Sequence, residues 1–416
     1  MRDGPLPHIP RNAMKDAVPV PPGRGGGLAV PLWLLALFTF SGTLAMHIFV
    51  PALPSAAHDL GASTGTMQMT ISLYIYGLAF GQLIYGPASD RFGRRPVLMV
   101  GLVIYAISGL VAALASGPEV LVAARLFQAL GGCAGLVLGR TIVRDTSPPT
   151  GTAQRLATMN LMITVGPAVA PLIGTALVET TGWRSILLLM SAFGVANLFL
   201  AWRLLPETRP ADSGDGSAFL RHCLHLVRSP AFLGFAIGGG CATTAVFAFI
   251  AAAPFIFTQQ MHRPPHETGI YLALLVFGMW LGSALVSRML GRVSMVKLMV
   301  RGNLASAIAT LILLGATLAG HASVVLVMGC MFAFAIGLGF ASPTAMSLAL
   351  SVNPQVAGSA SGLYGAIQMG VGATCAALAG LGPNPMLSAA LVLALAGVLA
   401  QACFFVALRW QRLATR

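Results

Sequence analysis

Polar positions in this chain are confined to short breaks between long apolar runs. Twelve such runs stand out, each of about 20 residues or more, the length a helix needs to cross a bilayer core. They lie near 29–50, 66–88, 96–115, 119–142, 156–178, 184–204, 231–256, 268–290, 295–318, 323–350, 356–380 and 386–409. None alternates with a period of two, so the strands of a membrane barrel are not indicated. In lipid only helices and closed barrels satisfy their own backbone. The pattern predicts an all-α integral membrane protein with 12 transmembrane helices.

Composition agrees. Only 8% of residues are charged, against about 25% in an ordinary soluble domain, and mean hydropathy is +0.83. The formal net charge is +13, and its placement explains it. With the N-terminus inside, Lys and Arg gather in the tail, the 2–3 turn, the 4–5, 6–7 and 8–9 connections and the C-terminus. The outer connections hold only Arg184 and Arg263, and the remaining one, Arg125, lies within span 4. By the positive-inside rule both termini are expected in the cytoplasm, and the charge needs no nucleic-acid partner. Trp33, Trp183, Trp202 and Trp410 fall at span ends, as interfacial aromatics do. The cysteines show no metal-ligand spacing and read as small packing residues.

The Pro- and Gly-rich stretch 1–28 is expected to be a disordered cytoplasmic tail rather than a cleaved leader. The longest internal polar stretch, 205–230, separates the spans into an N-terminal half (29–204) and a C-terminal half (231–409), followed by a short tail (410–416). SDRFGRR at 89–95 has an echo in SRMLGR at 287–292, at the equivalent turn of the second half. Repeated six-helix halves place a transporter's substrate site between them, near the bilayer midplane.

The turn GPASDRFGRRPVLMVG (86–101) resembles the signature loop of the major facilitator superfamily, with Gly86, Asp90, Arg91, Gly93, Arg94 and Arg95 at the matching positions. The resemblance implies two pseudo-symmetric six-helix bundles and a cytoplasmic gate locked by this loop, its acid facing a helix N-terminus of the other half. RLFQALGGCAGLVLGRTIVRD (125–145) resembles that family's Arg-x-x-Gln-Gly motif through Arg125 and Gln128, with Ala129 in place of the glycine. Gly131, Gly135 and Gly139 form a close-packing stripe along it. Asp145 matches an acid that some relatives pair with the signature-loop arginines. GPAVAPLIGTAL (166–177) resembles the Gly-Pro motif of the drug/proton antiporters, through Gly166, Pro167, Pro171 and Gly174, with Ala170 and Thr175 where further glycines would stand. A simple helix kink is the other reading of those prolines. TLAMHIFVPALP (43–54) resembles the start of the Bcr/CflA drug-resistance branch, except that His47 stands where an acid is common. The resemblance is dense over 43–183 and thin beyond.

That departure matters for energy coupling. No nucleotide-binding loop is present, and no cofactor is implied. All eleven acids lie outside the span centres, which leaves His47 as the one deep group that titrates near neutrality. It lies about 24 Å from Pro31 along the helix, in the outer third of span 1. Two readings stand: His47 binds the coupling proton near the Arg125 charge, or it is a neutral histidine satisfied by a backbone or threonine partner. Candidate cavity residues are Thr43, Tyr74, Gln128, Asn160, Phe247, Tyr271, Trp280, Tyr364 and Gln368; each is otherwise a packing residue. The expected activity is proton-driven export of drugs or similar amphipathic molecules across a bacterial inner membrane, by a monomer whose partners are substrate, protons and lipid. The alternatives are a metabolite transporter with weak or no proton coupling, and a membrane-embedded enzyme or receptor, for which no clustered catalytic groups appear.

Overall fold

The computed structural model describes residues 30–147, 149–209 and 217–414. The expected tail at 1–28, part of the central loop (210–216) and the last two residues lie outside them. Among the described residues the chain is helical and forms no strand. The elements are α1 (Leu32–Ile48), α2 (Leu53–Asp59), α3 (Thr64–Phe92), α4 (Arg94–Ala113), α5 (Pro118–Thr146), α6 (Pro149–Thr181) and α7 (Trp183–Leu204). A shorter helix α8 (Ser217–Val227) leads to α9 (Pro230–Thr243), α10 (Val246–Phe255), α11 (Pro265–Met289), α12 (Met295–Leu318), α13 (Val324–Ser351), α14 (Ala357–Ala379) and α15 (Pro385–Ala414).

Among the described residues eleven segments are long and apolar enough to cross a membrane, counting α1–α2 and α9–α10 each as one. The remaining expected span, α3, is a helix of 29 residues but carries more polar side chains. Gln68, Thr70 and Ser72 are buried, because α3 packs between α5 and α14 rather than against lipid. The first expected span ends later than its apolar run predicts. A 3₁₀ turn (Val50–Ala52) and α2 carry it on to Asp59, since Pro51 and Pro54 stand in first-turn positions where a missing N–H costs nothing.

Packing sorts the helices into two groups, α1–α7 and α9–α15, that meet chiefly through α3 with α14 and α6 with α11. Within the first group α5 is the centre, and glycine makes it so. A Cβ on Gly135 would lie 2.0 Å from the Phe38 carbonyl oxygen, and one on Gly139 would lie 2.1 Å from Thr39 Oγ1, both in α1. On Gly131, from the same predicted stripe, a Cβ would instead clash with the Tyr105 backbone of α4. The stripe thus serves two neighbours.

The groups are pressed together away from the signature turn. A Cβ on Gly65, at the start of α3, would lie 2.6 Å from the Gly380 carbonyl, and one on Gly269 of α11 would lie 2.8 Å from Thr175 Oγ1. Tyr76 shares a 2.8 Å hydrogen bond with Thr374, and His266 Nδ1 lies 3.9 Å from Glu179. The end opposite the signature turn is therefore shut.

Gly135→Ala is expected to destabilise the protein by about 1–3 kcal/mol through overpacking against backbone. Gly86→Ala, whose Cβ would meet nothing within 4 Å, should be neutral or slightly stabilising. Unfolding midpoints in detergent check both.

Candidate functional site

Arg125 is wholly buried, and its described partners include no carboxylate. Nη1 donates to Gln128 Oε1 at 2.6 Å and Nη2 to the Ala45 carbonyl at 2.9 Å. The guanidinium lies 4.2 Å from the Tyr74 ring centroid and 5.0 Å from that of Phe49. The Ala45 carbonyl is available because α1 stops there: the N–H of Phe49 bonds to His47 instead. The last carbonyls of a helix lack internal partners and form its negative end, where a cation is favoured. Stacking on desolvated aromatic rings adds about 2 kcal/mol. Tyr74 is itself fixed, its hydroxyl donating to the Gly42 carbonyl at 2.7 Å. Gln128 is buried, and its Nε2 and Arg125 Nε have no hydrogen-bond partner among the described residues. Sequence reasoning identified Arg125, Gln128 and Tyr74 but missed Phe49 and the broken helix end, which Pro51 foreshadows.

His47 belongs to the same helix end and points elsewhere. Its Nδ1 lies 2.8 Å from the Thr43 carbonyl. A carbonyl only accepts, so Nδ1 carries the proton and Nε2 is left as an acceptor. Phe40, Thr43 and His47 are part-exposed and recur at helical spacing, so they share one accessible face of α1. Ala45, two residues away, is buried on the opposite side. The imidazole and the guanidinium are thus joined through one turn of backbone, not through a direct contact. Thr43 turns its own hydroxyl to the Phe40 carbonyl at 3.1 Å.

A second break lies at the equivalent place in the other group, between α9 and α10. Thr244 Oγ1 is 2.7 Å from the Gln368 carbonyl, and Gln368 Nε2 donates to Thr243 Oγ1 at 2.7 Å. Phe247 packs beside Gly372 just past the break, and the Tyr364 hydroxyl sits against Gly239 just before it. That hydroxyl is buried and has no hydrogen-bond partner among the described residues. Broken helices in corresponding positions of two repeats mark the binding region of many transporters. The structure brings Gln368, Tyr364 and Phe247 together there. The remaining candidates lie apart from them. Tyr271 donates to Glu267, Trp280 is half-exposed and stacked on Phe277, and Asn160 is exposed.

At the signature turn, Gly93 takes a φ of 99°, which suits glycine. Arg94 is buried and holds three groups: Asp90, Asp145 at 2.9 Å and Ser89 at 2.7 Å. The resemblance implies that Asp90 faces a helix of the other half; here its ion pair is with Arg94 of its own turn. The expected pairing of Asp145 with a signature-loop arginine is present. Arg91 is exposed, with its guanidinium over Phe92 and its carbonyl accepting from Arg209. Arg95 donates to the Trp202 carbonyl at 2.7 Å.

Glu207, which sequence reasoning passed over, caps α4. Its carboxylate accepts the backbone N–H groups of Arg94 at 2.9 Å and Arg95 at 3.2 Å, and also those of Thr208 and Arg209. The only signal was PETR following the last residues of α7. Farther along, Pro167 and Pro171 lie inside α6. Gly166 receives the Phe40 ring and Gly174 the Ile48 carbonyl, so both let α6 approach α1. Thr175 donates to the Pro171 carbonyl at 2.9 Å.

Burial pushes the Glu207 carboxyl up, but the backbone N–H groups of Arg94, Arg209, Arg95 and Thr208 outweigh it and hold the group below the ordinary carboxylate range. A depressed folded-state pKa stabilises above the ordinary value and is lost as pH falls through the folded one. The Arg94 and Arg95 amides should be protected from hydrogen exchange at neutral pH and lose that protection in acid. Glu207→Gln should lose it at neutral pH, by the same measurement.

The chain matches the Major Facilitator Superfamily profile over residues 35–377. It is 31% identical over 391 residues to Multidrug resistance protein D of Escherichia coli (strain K12), covering 92% of this chain and 96% of that protein. It is 28% identical to the Bicyclomycin resistance protein homolog of Haemophilus influenzae, covering 83% of this chain and 87% of the other. Among solved structures, a D-xylose–proton symporter superposes with a TM-score of 0.74 at 14% identity, over 90% of this chain and 96% of that one. Two groups of membrane helices, the signature turn, the buried arginine and these relatives agree: the chain belongs to the major facilitator superfamily, in its drug/proton antiporter branch, and is a multi-pass membrane transporter.

Proposed function

We propose that this transporter exports small amphipathic, drug-like molecules across the bacterial inner membrane by proton antiport with alternating access. The names of its relatives support the substrate class: Multidrug resistance protein D, the Bicyclomycin resistance protein homolog and Multidrug transporter MdfA. Scarce charge around the two helix breaks also suits neutral or weakly cationic compounds. Both termini are assigned to the cytoplasm by the distribution of Lys and Arg. The shut end is then the outer one, and the cytoplasmic side is where an exported substrate would load.

The observation that carries the coupling is the end of α1. Arg125 holds the Ala45 carbonyl from one side, and His47 presents a free acceptor nitrogen on the accessible face two residues on. Protonating His47 adds a second positive charge to a helix end that already holds one. The charge-burial cost then favours the state in which His47 meets water, and loss of the proton favours the other. Substrate and proton would thus bias one two-state element in opposite directions. The second reading, a transporter without proton coupling, draws on the Thr43 carbonyl, which satisfies one His47 nitrogen as an ordinary structural histidine would be.

In everted vesicles under an imposed pH gradient, His47→Gln is expected to abolish uphill substrate accumulation while leaving substrate–substrate exchange in place. Undiminished uphill transport by that variant would sink the coupling assignment and favour the second reading. Arg125→Lys keeps the charge but loses the planar fork and much of the stacking. It is expected to lower both uphill transport and exchange. A panel of chemically unrelated compounds, run with and without an uncoupler, separates drug export from transport of a single metabolite.

A further inference from the structure

A cavity of about 380 Å³ opens beside the signature turn, walled by Val30, Arg95 and the run Trp202–Pro206. It lies on the flank of the first helix group, where the starts of α1 and α4 meet the end of α7. Nothing in the transport scheme uses it. Two guanidinium groups edge it. Arg95 has one donor on the Trp202 carbonyl, while its Nε is enclosed and has no hydrogen-bond partner among the described residues. Arg203 is exposed and lies 4.7 Å from the Trp202 ring centroid and 5.6 Å from that of Phe199. None of the lining residues carries a carboxylate. Glu207, next in sequence, has its oxygens engaged by four backbone N–H groups. Among the described residues the cavity therefore offers positive charge with no carboxylate in its lining.

Its surroundings are apolar and exposed. On α7, Leu188, Val195, Phe199 and Trp202 form an outward stripe. On α4, which packs against α7, Val100 and Ile107 do the same, with Leu114 just past its end. Both stripes run away from the cavity toward the other end of the helices. Trp202 stands at the level where interfacial tryptophans sit. A free anion would use the arginines alone. A lipid would use the arginines, the apolar wall of Val30, Leu204, Leu205 and Pro206, and both stripes.

We propose that this cavity binds the phosphate of an anionic phospholipid in the leaflet facing the signature turn, with its acyl chains along α4 and α7. Guanidinium groups bind phosphate oxygens through paired N–H bonds, and a diester phosphate with no neighbouring ammonium suits a site that lacks a carboxylate. Because Arg95 belongs to the signature turn and Arg203 ends α7, the lipid would brace the turn against the last helix of the group.

The test is native mass spectrometry of the full chain in detergent, with phosphatidylglycerol and phosphatidylethanolamine of matched chains supplied in equal amounts. Phosphatidylglycerol should be retained preferentially, and Arg203→Gln should lower its retention about fivefold, the effect of one arginine near a charged membrane surface, with phosphatidylethanolamine unchanged. Arg203→Lys should keep part of the preference, which a general packing defect would not reproduce. In a parallel thermal melt, inorganic phosphate and glycerol 3-phosphate at millimolar concentration should give no stabilisation. Equal retention of the two lipids, or unchanged retention in Arg203→Gln, would overturn the proposal. Protection by free phosphate equal to that by phosphatidylglycerol would overturn it in favour of a soluble-anion site.

Discussion

A guanidinium at membrane depth must find partners within the protein, and the first helix group is arranged around that need. Arg125 cannot shed its proton, so its environment has to bear the charge. α1 ends at Ile48, which frees the Ala45 carbonyl. α3 brings the Tyr74 ring beneath the guanidinium, and the turn after α1 brings Phe49 alongside. α5 reaches α1 closely enough only because Gly132, Gly135 and Gly139 lack side chains at the contact. Removing any one of these leaves a buried cation short of a partner, which costs more than an ordinary packing fault. The charge is balanced by the end of a helix and two aromatic faces.

The same logic of helix ends recurs at the signature turn. There the exposed N–H groups of α4 meet the Glu207 carboxylate, while Arg94 gathers Asp90, Asp145 and Ser89. The turn is a closed electrostatic unit within one helix group. Asp90's described ion pair is with Arg94 of its own turn, while α3 meets α14 where Gln82 lies against Gly362 and Gly365. In the locked state that the family resemblance implies, Asp90 would exchange Arg94 for a helix N-terminus, a swap between two favourable partners for one carboxylate.

The fold was legible in the sequence because the bilayer imposes one length and one polarity on every span. α3 fits that pattern least, and for a physical reason: Gln68, Thr70 and Ser72 lie in protein, not lipid. Motif residues such as Arg94 and Asp145 were legible as chemistry, and the structure joins them. What sequence could not give was direction. His47 and Ala45 are two residues apart and face opposite sides of α1, so spacing along the chain could not tell that Arg125 meets the Ala45 carbonyl while His47 Nδ1 meets that of Thr43. Glu207 was invisible because an acid in a polar connection looks solvated until the chain folds back onto α4. Trp280 looked like a cavity residue from its place in mid-span, yet it stacks on Phe277 in an exposed apolar stripe with Ile270 and Leu274.

The Glu207 clamp also sets a mechanical limit. Arg209 is the last described residue on the first side, tied there through the Arg91 carbonyl. Ser217 begins α8, which packs against α9 and α14 of the second group. Eight peptide links separate the two anchors, a reach of about 28 Å when fully drawn out. Whatever the two groups of helices do, Arg209 and Ser217 can part by no more than that length.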